Sequence, residues 1–372
     1  MKRPVLNPGL GAAFVLGVML TAAAQSASRP AIPNIAGKVM TVNGPIDPAA
    51  LGETLMHEHV FINFQKSPPM SPPPTDVTVV RAPADIPEGM AAGLTDFDQS
   101  ITAIRDFKKA GGGTIVDVSP FGLTRDPLAL KLASRVSGLN IVMGAGFYMR
   151  QLHPADMDQL TVEQLTDIIV HDVTVGAQGT DIRSGIIGEV GVVGKPLVES
   201  ELKSVRASAR AARITGAPMS IHNFETVEEM MTVLDIIQSE GVDLNRVVMS
   251  HTGERDVATR EAVFKRGAYV EWDYFGQAPL PKEKDQERID SIYASIQAGH
   301  ADQIVISHDI CTQAQLKVNG GGGYTYINDI IIPGLKAKGV SDEILHKIMF
   351  DNPRRVLPFV APQAVVAHAG KH

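Results

Sequence analysis

Eight short apolar runs alternate along the chain with longer segments in which apolar residues recur every three or four positions. Runs of this length are typical of strands buried on both faces of a parallel sheet, and the longer segments have the period of amphipathic helices. The runs span residues 54–60, 114–118, 141–146, 185–190, 218–222, 246–250, 268–273 and 303–308. The helical segments cover residues 97–110, 161–175, 199–214, 227–240 and 284–298. The alternation predicts an α/β protein that folds as a (β/α)8 TIM barrel.

Three further segments lie outside this alternation. Residues 37–50 predict an N-terminal hairpin with Asn43-Gly44 as its turn, since this dipeptide favours tight hairpins. The insertion at 64–92 is rich in proline, so it is neither a helix nor a central strand. A second insertion contains four glycines at 320–323 but lacks P-loop spacing, and we expect it to form a mobile loop over the mouth of the barrel.

The N-terminus has the pattern of a secretory signal peptide. Lys2 and Arg3 precede an apolar stretch that runs from Leu10 to Ala24 and ends in small residues. The stretch is shorter than the ~20 residues that cross a bilayer, so no membrane span is expected after cleavage. The sequence therefore predicts an exported protein, periplasmic or secreted. Its predicted parts are a signal peptide at 1–27, a linker at 28–36, the barrel at 37–360 and a tail at 361–372.

Composition narrows the range of partners. With 372 residues, 44% of them hydrophobic, the chain can bury a large core. The net charge of -7 and the lack of a Lys/Arg cluster argue against a nucleic-acid partner, which would need a basic face. The single cysteine, Cys311, excludes an intramolecular disulfide. A small molecule is the expected ligand.

Residue types that bind metals stand at the ends of five apolar runs. His57 and His59 are one residue apart, and residues i and i+2 of an extended chain point to the same side. The carboxyl ends of parallel barrel strands meet on one face, so ligands from several strands can converge there. Four imidazoles and two carboxylates suit two divalent cations, Zn²⁺ first, with Mn²⁺, Co²⁺ or Fe²⁺ as alternatives. The downstream candidates are Glu189, His222, His251 and Asp309.

These ligands lie in motifs that resemble the metal signature of the phosphotriesterase family, within the amidohydrolase superfamily. The similarity extends from about residue 37 to 358, and Glu189 together with the glycine-rich segment at 316–324 resembles the phosphotriesterase homology protein branch. Barrels of this family often pair as homodimers. The motifs are His57-x-His59, Gly185-Ile-Ile-Gly-Glu189-Val-Gly, Ser220-Ile-His222, Ser250-His251 and Ser307-His-Asp309.

The resemblance implies a role for each ligand. His57, His59 and Asp309 would bind the more buried metal, and His222 and His251 the more exposed one. A carboxylate would bridge the two ions, and Glu189 is expected where many relatives use a carboxylated lysine. Lys195 is an alternative bridge, but it lies six residues past the strand end and directly before Pro196, as a solvent-exposed loop lysine would.

The family likeness also implies an activity. We expect a binuclear hydrolase in which a metal-bridging hydroxide attacks a lactone or ester carbonyl, with organophosphate triesters as promiscuous substrates. Asp309 would accept the proton of the hydroxide. The alternative is an amidase or deacetylase of N-acylated small molecules, favoured if Arg125, Arg150 or Arg255 supplies a cation for a carboxylate. A third hypothesis is a metal-holding binding protein without turnover.

The substrate pocket is expected near the ends of the strands, where several aromatic residues stand. A proton relay through Glu254, Asp273 and Tyr274 is left open, because these residues only follow strands six and seven in the chain. The candidates for the pocket wall are Phe121, Tyr148, Trp272, Tyr274 and Phe275.

Overall fold

The computed structural model describes residues 31–64, 93–223, 226–277 and 282–363. The predicted signal peptide, nearly all of the proline-rich insertion and most of the predicted tail lie outside these described residues. In the described ranges, no helix is long and apolar enough to cross a membrane.

The chain begins with the predicted hairpin. Strands β1 (Val39–Thr41) and β2 (Gly44–Ile46) pair antiparallel, with Thr41 opposite Gly44. The turn is therefore Val42-Asn43, one residue earlier than predicted. Thr41 explains the shift, because its Oγ1 donates to the Gly44 carbonyl at 2.8 Å and accepts from the Asn43 amide at 3.2 Å. The last predicted hairpin residues, Pro48–Ala50, form a short 3-10 helix instead.

Eight parallel strands follow, and each overlaps one of the predicted apolar runs, which confirms the TIM barrel. Each strand is hydrogen-bonded to the next along the chain, with all pairs parallel. The strands are β3 (Glu53–Glu58), β4 (Gly112–Asp117), β5 (Asn140–Ala145), β6 (Ile186–Val192), β7 (Met219–Asn223), β8 (Val247–Ser250), β9 (Tyr269–Trp272) and β10 (Ile304–Ile306).

Hydrogen bonds between β3 and the segment after β10 close the barrel. The His57 amide donates to Ser307 Oγ at 2.9 Å, and the Asp309 amide donates to the His57 carbonyl at 3.1 Å. One step further, the His59 amide donates to the Ile310 carbonyl at 3.2 Å. The closure therefore brings two predicted ligands at the start of the barrel next to Asp309 at its end.

Helices cover the outside of the barrel. The five predicted helices are present, with ends within two residues of the prediction. The helices after β4 and β8 and the short helices after β10 were not predicted. In the helix after β4, Asp126 accepts from the Ala129 amide at 2.9 Å and Pro127 is the first residue. The helices are α1 (Phe97–Lys109), α2 (Pro127–Ser137), α3 (Val162–Thr174), α4 (Glu199–Thr215), α5 (Val227–Ser239), α6 (Val257–Lys265), α7 (Lys282–Gln297), α8 (Ile332–Ala337), α9 (Asp342–His346) and α10 (Asn352–Val356).

Two buried apolar clusters hold these layers together. The larger one packs the helices against the strands, as Phe107 of α1 does with Ile115 of β4. The smaller one draws single side chains from several barrel strands, so it lies inside the barrel, and Val39 of the hairpin joins it. The hairpin therefore closes the end of the barrel opposite to the strand ends that carry the ligands. The strand residues of the smaller cluster include Val116, Val142, Ile186, Val248 and Val305.

The glycine-rich segment after β10 is packed on the barrel, which corrects the expected mobile loop. Residues 321–327 are buried. The Tyr324 hydroxyl donates to the His59 carbonyl at 2.7 Å, and the Gly322 amide donates to the Gly276 carbonyl at 3.1 Å. The segment thus supports the backbone of a predicted metal ligand.

Candidate metal centre

The six predicted ligands come together at the carboxyl ends of five barrel strands. His57 lies in β3, Glu189 in β6 and His222 in β7, while His59, His251 and Asp309 follow the ends of β3, β8 and β10. The first five are buried, and the side chain of Asp309 is 13% exposed. The spacing of ligands along the chain therefore predicted a real convergence in space.

One group of ligands surrounds the pair His57 and His59. His57 Nε2 lies 3.4 Å from Glu189 Oε2 and 3.7 Å from Asp309 Oδ1. His59 Nε2 lies 3.5 Å from Glu189 Oε1 and 3.2 Å from Asp309 Oδ1. Two imidazole nitrogens and oxygens from two carboxylates thus lie close together, which is a donor set that a borderline divalent cation accepts.

A second group shares Glu189. His222 Nδ1 lies 2.7 Å from Glu189 Oε2 and 2.9 Å from His251 Nε2, while His251 Nε2 lies 3.9 Å from Glu189 Oε2. The two groups, His57 with His59 and His222 with His251, meet at the carboxylate of Glu189. This arrangement places Glu189 where a bridge between two ions must lie.

Hydrogen bonds among the candidate ligands do not satisfy all of their donor atoms. His57 Nε2 is buried and has no hydrogen-bond partner in the described part of the chain. A buried polar atom without a partner is costly, and a metal ion would satisfy it. The residues present therefore fit a pair of divalent cations.

In three of the four histidine rings, the nitrogen that points away from the centre contacts a serine or a carboxylate. His59 Nδ1 lies 2.8 Å from Ser119 Oγ, and His251 Nδ1 lies 2.9 Å from Asp273 Oδ1. His57 Nδ1 lies 3.3 Å from Glu271 Oε2. Partners of this kind fix the tautomer of a metal-binding histidine, so that the opposite nitrogen faces the ion.

Electrostatics at the centre favour an anionic bridge. Burial opposes ionisation of Glu189, but the charges of His222 and His57, together with the hydrogen bond to His222, prevail and hold its pKa well below the usual range. Burial, together with the charges of His222 and His57, holds the pKa of His251 well below normal, so its ring is neutral and its lone pair available. Burial raises the pKa of both Glu271 and Asp273 to about 7.

Of the five predicted pocket residues, two contact the metal ligands. The Tyr148 hydroxyl lies 3.2 Å from His222 Nε2. The Tyr274 ring stacks on the His251 ring with centroids 4.8 Å apart and 8° between the planes. Both tyrosines therefore line the part of the centre formed by His222 and His251.

Of the other three pocket predictions, the one for Trp272 is corrected. The Trp272 indole faces the outer helices, since its Nε1 donates to Ser291 Oγ on α7 at 2.7 Å. Alternation along β9 explains this, because the carboxylates on either side of Trp272 point to His57. Phe275 is buried in the larger apolar cluster, as Tyr148 is, and Phe121 packs against it, so the role of these two phenylalanines in a pocket stays a prediction.

Two of the three members of the possible proton relay, Asp273 and Tyr274, contact His251. Asp273 contacts His251 directly, whereas both carboxylate oxygens of Glu254 accept from Arg288 Nε at 2.9 Å. Lys195, the alternative bridge, is exposed. Glu189 is therefore the carboxylate that both histidine pairs share.

Sequence reasoning missed two residues that hold the ligands, Ser119 and Glu271. Glu271 carried a signal, because a glutamate inside an apolar strand two positions before Asp273 must share its face. Its partner His57 is more than two hundred residues away, so the pairing itself follows only from the closed barrel. Ser119 carried no comparable signal.

Known proteins place this centre in a family. The phosphotriesterase family model matches residues 37–357. N-acetyltaurine hydrolase of Xenopus tropicalis is 37% identical over 351 residues, which cover 88% of this chain and 99% of that protein. A solved resiniferatoxin-binding protein from Rhodobacter sphaeroides is 33% identical, with a TM-score of 0.76 and coverage of 87% of this chain and 96% of that one. A lactonase from Listeria monocytogenes is 25% identical, with a TM-score of 0.73 and coverage of 87% and 99%.

The fold and the ligand set are those of a metal-dependent hydrolase built on a TIM barrel. The chain belongs to the phosphotriesterase family, as the metal motifs predicted.

Proposed function

We propose that the protein hydrolyses a small N-acylated molecule at a centre of two divalent cations, Zn²⁺ in the first place. The observation that carries the proposal is the position of Glu189, buried and within reach of two separate pairs of histidines. His57, His59 and Asp309 would hold one ion, His222 and His251 the other, and Glu189 both.

The bound ions would supply a water of lowered pKa and polarise the carbonyl oxygen of the substrate. The protein's own groups would orient the substrate and move the proton. Asp309 is the most exposed of the six ligands, so its carboxylate is the one placed to take a proton on the substrate side. The hydroxyl of Tyr148, beside His222, would donate a hydrogen bond to the oxygen of the reacting carbonyl.

The choice of an amide over a lactone reverses the order expected from the sequence. It is supported by the relative named N-acetyltaurine hydrolase, which is 37% identical to this chain over nearly its whole length. Lactone hydrolysis is the second candidate, supported by the more distant lactonase structure at 25% identity. If neither class of substrate is hydrolysed, the binding hypothesis remains, and the similarity to a resiniferatoxin-binding protein supports it.

A cation would bind the acid group of an N-acylated substrate, and of the three arginines we propose Arg255 for this role. Arg125 is buried in an ion pair with Asp172 at 2.8 Å, and Arg150 is exposed. Arg255 follows the ligand His251 by four residues, and its Nη2 is buried without a hydrogen-bond partner among the described residues. An unpaired buried guanidinium nitrogen suits a carboxylate or sulfonate of the substrate.

A substrate panel tests the proposal. The zinc- or manganese-loaded protein would be assayed on N-acetyltaurine, N-acetyl amino acids, γ- and δ-lactones, an aryl ester and a phosphotriester, with a His57→Ala/His59→Ala double variant as the blank. Turnover concentrated on the N-acyl acids supports the amide proposal, and turnover concentrated on lactones replaces it with the second candidate. Arg255→Met should raise KM about tenfold or more for N-acyl acids and leave neutral lactones unchanged, since it removes a charge-assisted hydrogen bond.

Export and pairing complete the proposal. Residues 1–27 would direct the protein to the periplasm or the medium, and two copies would form a homodimer. N-terminal sequencing of the exported protein tests signal cleavage, because an intact Met1 in the product would contradict it.

Sedimentation tests dimer formation, because a single monomeric species at micromolar concentration would contradict the dimer.

A further inference from the structure

A row of hydrogen-bonded side chains crosses four barrel strands and ends at a metal ligand. Ser220 Oγ on β7 lies 3.0 Å from Ser250 Oγ on β8. Ser250 Oγ donates to Glu271 Oε2 on β9 at 2.9 Å. The same carboxylate oxygen lies 3.3 Å from His57 Nδ1 on β3. Glu271 thus connects two serines without a ligand role to the ring of His57.

Burial of the Glu271 carboxyl group costs free energy. Its side chain is 0% exposed, and its second oxygen, Oε1, has no hydrogen-bond partner in the described part of the chain. A buried carboxyl group costs free energy unless its contacts repay it. Its hydrogen-bond partners among the described residues are Ser250 and His57. An apolar residue would fill the same space without this cost, which indicates that the contact with His57 serves the site.

Asp273 does not make this contact redundant. Asp273 Oδ2 lies 3.5 Å from His57 Nδ1, slightly further than Glu271. Both of its oxygens are already engaged by His251, whose amide lies 3.0 Å from Oδ2 and whose Nδ1 lies 2.9 Å from Oδ1. Each carboxylate therefore supports one histidine, Asp273 the ring of His251 and Glu271 the ring of His57.

We propose that Glu271 is the positioning residue for His57. Its Oε2 accepts the Nδ1–H of His57, which fixes the tautomer whose Nε2 would face the ion held by His57, His59 and Asp309. Ser250 orients the carboxyl group of Glu271, and Ser220 in turn contacts Ser250. The inference rests on the proposed metal centre and goes beyond it, since it concerns a residue that is not itself a ligand.

The acceptor oxygen can be removed with little change in shape. Glu271→Met keeps the length of the side chain but has no oxygen, whereas Glu271→Gln keeps one acceptor. Loss of such a partner typically weakens metal binding about 10- to 100-fold. We therefore expect Glu271→Met to lower the affinity for one of two Zn²⁺ ions by about this factor in a chelator competition, and Glu271→Gln to recover most of it.

A spectroscopic measurement separates positioning from packing. In the Co²⁺-loaded protein, a rotated His57 ring changes the ligand field, so the visible absorption of Glu271→Met should shift while that of Glu271→Gln stays closer to wild type. Glu240→Met is the matched control, because Glu240 is a buried carboxylate bound to Arg206 and Arg210 on the outer helices. This control should lose stability but keep both the zinc affinity and the Co²⁺ spectrum.

The two serines give a graded test that does not depend on the folding of Glu271→Met. Ser250→Ala should weaken zinc binding less than Glu271→Met, and Ser220→Ala less again. If Ser250→Ala and the Glu271 variants lower the melting temperature alone, with zinc affinity and spectrum as in Glu240→Met, the positioning role is overturned. A wild type that binds no Zn²⁺ would instead overturn the proposed metal centre, and this inference with it.

Discussion

Asp273 holds His251 by both its backbone and its ring. The His251 amide donates to Asp273 Oδ2 at 3.0 Å, and the ring Nδ1 lies 2.9 Å from Oδ1. His251 has a φ of 60°, in the left-handed region that residues other than glycine rarely adopt. The carboxylate therefore stabilises an unfavourable backbone conformation that turns Nε2 toward His222 and Glu189.

Asp273→Asn should release His251 from this position. An amide offers only one acceptor oxygen to two donors, so either the backbone or the ring of His251 loses its partner. We expect binding of the zinc ion held by His222 and His251 to weaken about 10- to 100-fold in a competition assay. Asp256→Asn is the control, since asparagine replaces aspartate well at the N-terminus of α6. Equal zinc affinity in both variants would show that Asp273 does not position the ligand.

Asp309→Asn tests the assigned proton acceptor. An asparagine oxygen can still approach a metal, but it cannot take a proton, so kcat should fall about 10²- to 10⁴-fold with metal still bound. Turnover and metal content must be measured on the same preparation. Full activity with two ions per chain would remove Asp309 from proton transfer.

Tyr148→Phe tests the proposed contact with the reacting carbonyl. The hydroxyl lies 3.2 Å from His222 Nε2, in the part of the centre where the substrate would bind. Loss of a hydrogen bond to developing charge costs about 1.5–3 kcal/mol, so kcat/KM should fall at least roughly tenfold while metal content is unchanged. An unaltered kcat/KM would mean that the hydroxyl only supports the His222 ring.

Trp272→Phe tests the finding that Trp272 faces the outer helices and does not line the pocket. It removes the hydrogen bond from the indole to Ser291, so stability should fall by about 1 kcal/mol in denaturant unfolding. The value of kcat/KM should not change, because the side chain faces α7. A lower kcat/KM at unchanged stability would return Trp272 to the pocket wall.

The fold could be predicted from the sequence because the barrel repeats one pattern of strand and helix eight times. Each buried strand is short and apolar, and the amphipathic helices between them keep a clear period. Helix α2 was missed because Leu128, Leu132 and Val136 are exposed on its outer face, which blurs the contrast between its apolar and polar sides.

The convergence of the six candidate ligands could be predicted from the sequence for a related reason. Their positions at the strand ends follow from the fold, and their residue types are restricted by the chemistry of the metal. The residues that support them were harder to find, since a serine such as Ser119 is common in any loop. Trp272 shows the remaining source of error, because nearness to a ligand along the chain does not give the direction of a side chain.

The most direct test of the account is the number of metal ions held by wild type and by Glu189→Gln. Metal analysis and native mass spectrometry should find two ions per wild-type chain and fewer than two in Glu189→Gln, with turnover reduced more than about 100-fold, since the bridge loses its charge. Lys195→Ala, which changes the exposed alternative, should keep both ions and full turnover. Two tightly bound ions and normal turnover in Glu189→Gln would contradict the bridging role on which the proposed centre depends.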